Sequence, residues 1–74
     1  MEPSSKSPYI LRYLLSRGQA AMQRGEKADA RRTAQRAVSV APLSAAAWRL
    51  LAAVSSGHAQ EEYLARAAEL DQER

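Results

Sequence analysis

Ala30, Ala34, Ala37 and Ala41 recur at a spacing that puts small side chains on one face of a helix. Pro42 follows directly and ends that helix, because it has no N–H to give and crowds the residue before it. Ser44 is then placed as the N-cap of a new helix, which presents Trp48 and Leu51 one turn apart. A small-residue helix joined through a proline turn to a second, tryptophan-bearing helix leaves few folds open to the chain. The stretch predicts helical hairpins in which closely approaching helices do most of the packing.

Size and composition narrow the choice further. With 74 residues and no cysteine, the chain is one small domain or a piece of one, without a disulfide. A chain of this size buries only about 60% of its unfolded surface, so helix packing or association with another chain must supply its stability. One histidine and no thiol exclude a Cys2His2-type metal site. Ala, Leu, Arg, Gln and Glu are plentiful and Phe is absent, which favours helix over sheet. The net charge of +3 is spread among interspersed acids and falls short of a concentrated nucleic-acid-binding stripe. No run approaches the roughly 18 apolar residues of a membrane span, and the polar start carries no signal-peptide pattern. A soluble, cytoplasmic protein is expected.

In chain order, residues 1–7 read as a flexible tail and residues 8–71 as the folded domain. Ser7-Pro8 is a helix-start signal, and the first helix is expected over Pro8–Arg24. Gly18 lies inside it, at about 1 kcal/mol against alanine, and so marks a close contact, expected with the second helix near Ala30 or Ala34. Gly25 is placed as a left-handed C-cap. The second helix is expected over Lys27–Ala41, with Arg31, Arg32, Gln35 and Arg36 outward. The third spans Ala45–Val54, with Trp48, Leu51 and Ala52 inward. A Ser55–His58 turn precedes a fourth helix over Ala59–Leu70, with Tyr63, Leu64, Ala67 and Leu70 on one face.

The second half echoes the first, and together they resemble the tetratricopeptide repeat, whose pattern is W-x2-L-G-x2-Y, A-x3-F and P over about 34 residues. Trp48-x2-Leu51-Ala52 matches the first element, with Ala for Gly. Ala30-x3-Ala34 and Pro42 match the second and third, while Gly18, Gly25 and Ala37 fall at the family spacing. Arg17 departs from it, standing where the pattern has Leu. Ala37 and Ala67 are 30 positions apart (67 − 37), so the second repeat is shortened, with the third helix about one turn short. Gly18, Ala30, Ala37, Pro42, Trp48, Leu51 and Ala67 are accordingly read as structural. Trp48 is read as the core anchor. A plain four-helix bundle with an alanine-rich core is the alternative architecture.

The resemblance implies a non-catalytic module for protein–protein interaction or scaffolding. One subset of the family clamps a C-terminal carboxylate with Lys and Asn on its first helices. Here those positions hold Leu15, Gln19 and Leu50, so that clamp is not expected. Nor does the chain suggest an enzyme or a cofactor site. His58 lies in a Ser-Gly turn, and no nucleophile elbow surrounds a Ser55/His58/Asp71 set. Glu61 and Glu62 suit the opening of a helix better than paired acid–base work.

The first helix carries Tyr9, Ile10, Leu11, Tyr13, Leu14 and Leu15, apolar in more directions than one hairpin can cover. Tyr9, Ile10, Tyr13, Leu15, Gln19 and Met22 are therefore candidate partner-binding residues, with Tyr63 and Leu70 at the other end. Two different unfinished ends raise a second reading, a structural subunit that polymerises head-to-tail, the Tyr9–Tyr13 face meeting the Tyr63–Leu70 end. A third is a nucleic-acid-associated module using Arg31, Arg32 and Arg36, extended by Lys27. No aromatic residues interleave with these arginines as a single-strand platform requires.

Overall fold

The computed structural model describes residues 7–72, with side chains from residue 9. Four helices follow one another: α1 (Ser7–Gln23), α2 (Lys27–Val40), α3 (Ala45–Ala53) and α4 (Gly57–Gln72), with no strand among the described residues. α1 packs on α2 and α3 on α4, forming two hairpins; α3 also packs against both α1 and α2. α4 touches no described helix but α3. The expected tail lies outside the described residues, apart from Ser7, which opens α1.

Local chemistry sets the boundaries. After α1, the Glu26 N–H reaches back to the Ala21 carbonyl at 2.9 Å and the Gly25 N–H to that of Met22 at 3.0 Å, with Gly25 at φ +77°. This paired reach satisfies the last carbonyls of the helix and needs a left-handed residue at its centre. α2 ends at Val40, one residue before the expected end, because Ala41 must leave helical geometry ahead of Pro42. The Ser44 side chain accepts a bond from the Ala47 N–H at 3.3 Å and starts α3.

α3 has nine residues against 17 in α1, as the shortened repeat requires. Such a helix is marginal by itself. Its far end is held by side chains: Ser55 Oγ donates to the Leu51 carbonyl at 2.8 Å and Gln60 Nε2, from α4, to the Ala52 carbonyl at 2.9 Å. α4 starts two residues earlier than expected and runs two beyond Leu70, where Asp71 pairs with Arg49 of α3.

Alanine and leucine build the core. Ala30, Ala34 and Ala37 of α2 are wholly buried, so α1 and α3 come close to its backbone. One cluster gathers Leu14, Ala37 and Ala47; another gathers Ala34, Leu50 and Leu51. Leu15 and Val38 border both and join them.

Gly18 marks a close approach to α3, where a methyl built on it would meet the Leu50 side chain first. One expectation changes here. Trp48 is half-buried, not a sealed anchor. Its indole N–H must find an acceptor and does so at the Pro42 carbonyl, 2.7 Å away, while its ring lies tilted on Tyr63 with centroids 5.8 Å apart.

Candidate protein-interaction surfaces

The crossing of α1 and α3 leaves a groove of about 290 Å³ along their outer sides. α1 contributes Leu15, Gln19 and Met22, and α3 contributes Ala46, Arg49, Leu50 and Ala53. The α1 set falls at i, i+4 and i+7, one side of a helix, and the α3 set at i, i+3, i+4 and i+7. Three of the residues expected to bind a partner thus come together. Leu50 forms the buried floor, its side chain filling the space beside Gly18. Ala46 and Ala53 keep the far wall low. Arg49 stands at the rim, turned toward Asp71. The groove is a mainly apolar channel with the Gln19 amide on one side and Arg49 at its rim.

A second groove, about 390 Å³, lies between α1 and α2 and is different in kind. Arg17, Arg32 and Arg36 line it with Tyr13 and Asp29 above buried Leu14 and Thr33. Arg17 spans the two helices. It donates to the Tyr13 hydroxyl at 3.3 Å and pairs with Asp29 of α2 at 3.5 Å. Both contacts, the tyrosine hydrogen bond foremost, hold its guanidinium further above its already high range. Arg17 departs from the repeat pattern because this side of α1 faces the groove and not a packed neighbour.

The remaining expected residues are spread out. Tyr9, Ile10 and Tyr13 stand exposed at 75%, 44% and 60% on the open part of α1. Tyr63 is half-buried against Trp48. Leu70 does not belong to a binding surface: it is 5% exposed and covered by α3, the one helix α4 packs on. Leu70 is therefore not available to the expected head-to-tail contact, whereas Tyr63 keeps part of its surface open beside Trp48. The arginine patch on α2 is also divided. Arg32 and Arg36 face the α1–α2 groove, whereas Lys27 and Arg31 line a different cavity with Met22 and Val54, because adjacent helical residues point about 100° apart.

Sequence reasoning missed Ala46, Arg49 and Ala53 as groove residues. Their spacing on the side of α3 away from Trp48 was the available signal, but exposed alanine looks like any helix former. The pairing of Asp29 with Arg17 depends on how two helices meet.

His58 is exposed and bonded to Glu62 one turn on at 3.1 Å, and no group of three or more metal-ligating side chains gathers among the described residues. No described helix is long and apolar enough to cross a membrane. Comparison with characterised proteins and with solved structures gave no significant match. A family model, the tetratricopeptide repeat, matches residues 11–54, which take in most of α1, all of α2 and all of α3. That match spans more than half of the 74 residues and agrees with the two hairpins, α3 crossing back onto both helices of the first: the chain belongs to the tetratricopeptide-repeat family.

Proposed function

We propose that this protein is a non-catalytic, cytoplasmic interaction module that seats a segment of a partner protein in the groove between α1 and α3. The convergence of Leu15, Gln19 and Met22 with Ala46 and Ala53 over the Leu50 floor carries this reading. A small apolar channel with one amide at its wall suits an aliphatic side chain of the partner, with Gln19 bonding to the partner's backbone. Membership of a repeat family that mediates protein interactions supports the same reading.

The test is a selection of binding peptides from a random library, followed by amide-resonance titration of the chain with each. Perturbations are expected at Leu15, Gln19, Met22, Ala46 and Ala53. Ala46→Arg, on the exposed wall, fills the channel and is expected to weaken binding at least tenfold while leaving helicity unchanged. Peptides whose binding ignores Ala46→Arg and perturbs residues elsewhere would overturn the assignment.

A further inference from the structure

The two hairpins carry opposite charge. Residues 9–44 hold seven Lys or Arg against two acids, a net +5, and residues 45–72 hold two Arg against four acids, a net −2. On the first hairpin, part of the excess gathers in the α1–α2 groove. Its one carboxylate, Asp29, is engaged by Arg17, and among the described residues neither Arg32 nor Arg36 has an ion-pair partner. These two stand one helical turn apart along one wall. Tyr13, 60% exposed, adds an apolar surface at the edge.

The second hairpin holds the counterpart. Tyr63, Ala67 and Leu70 turn α4 toward α3, which leaves Glu61, Glu62 and Glu69 within an arc of about 100° on the opposite face, Glu62 beside His58 at 3.1 Å and Glu69 beside Arg66 at 3.2 Å in exposed pairs that a second copy's arginines can replace. Ala65 lies in the middle of that arc, so the helix backbone can approach a surface closely there. Leu64 flanks it, half-exposed. Among the described residues no helix covers this acidic face, since α4 packs only on α3.

We propose that the outward face of α4 docks into the α1–α2 groove of a second copy, the glutamates meeting Arg32 and Arg36 and Leu64 meeting Tyr13. The contact joins unlike surfaces, so each copy offers one groove and one acidic helix, and assembly proceeds head-to-tail. Charge complementarity selects this occupant: groove against groove or α4 against α4 brings like charges together. The α1–α3 groove remains open in such an assembly, so the contact is independent of partner binding there.

The test uses sedimentation velocity on the 74-residue chain from about 10 μM to about 1 mM, at about 50 mM and about 500 mM salt. Association that grows with concentration and weakens at least tenfold at the higher salt is expected. Arg32→Glu/Arg36→Glu and Glu62→Lys/Glu69→Lys change exposed side chains only, and each pair alone is expected to be monomeric with unchanged helicity. Mixing the two variants should restore association, because each supplies the complement of the other. A monomer throughout, association indifferent to salt and charge reversal, or failure of the mixture to recover would overturn the proposal. So would a monomeric chain whose groove instead binds polyglutamate or a short RNA.

Discussion

Leu50 fills the space that Gly18 leaves open: a methyl on Gly18 would stand 2.7 Å from one terminal carbon of Leu50 and 3.3 Å from the other. Two opposing effects meet at this position. Alanine gains about 1 kcal/mol in helix propensity over glycine, and it forces the end of a buried leucine to shift. The atoms met are the flexible far end of the Leu50 side chain, which borders the α1–α3 groove, so the shift is small. Gly18→Ala should leave stability within about 0.5 kcal/mol of the parent, whereas Gly18→Leu, too large for any such adjustment, should lose roughly 1–3 kcal/mol. Urea unfolding curves decide it; a Gly18→Ala variant with the full propensity gain means that Leu50 moves without cost.

Trp48 contributes a hydrogen bond and a ring contact from a half-buried position. Trp48→Phe keeps the ring and loses the bond to the Pro42 carbonyl, so it should cost about 0.5–1.5 kcal/mol. Trp48→Ala should cost about 2–3 kcal/mol, below the ~3–5 kcal/mol of a sealed aromatic. Chemical denaturation with both variants checks the ordering; equal losses would mean that the ring contributes nothing beyond its N–H.

Ser44 starts a helix with little stability of its own. Removing its hydroxyl with Ser44→Ala leaves the Ala47 N–H without its cap and should cost about 1 kcal/mol. Ser44→Asp should restore most of that loss, because it supplies an oxygen to the same N–H and a favourable charge at the helix start. Thermal melts of the three proteins test this, and an uncapped variant as stable as the parent would show that α3 is held by packing alone.

Gly25 meets no atom within 4 Å of a would-be side chain, so space is not its constraint. Its φ of +77° is. Gly25→Ala should therefore lose about 1–2 kcal/mol through backbone strain alone, and Gly25→Asn clearly less. Equal losses for the two in equilibrium unfolding would point to a different origin.

The sequence by itself determined the number of helices, the turns between them and the shortening of the third. Those features follow from local rules: a glycine where a carbonyl-capping turn needs a left-handed residue, a proline that ends α2, a serine that caps α3, and alanines at helical spacing. Half of the α1–α3 groove was legible too, since Leu15, Gln19 and Met22 share a face whatever lies across from it. Which neighbour each face meets was decided only by the tertiary structure. Periodicity says that Gly18 lies on a close face and Leu70 on an apolar one, but a helix has several sides and the sequence does not say which are covered. Packing turned Gly18 toward Leu50, sealed Leu70 under α3 and joined Arg17 to Asp29 across two helices. These are relations between residues distant in the chain, set by how helices cross, and no local pattern of side chains contains them.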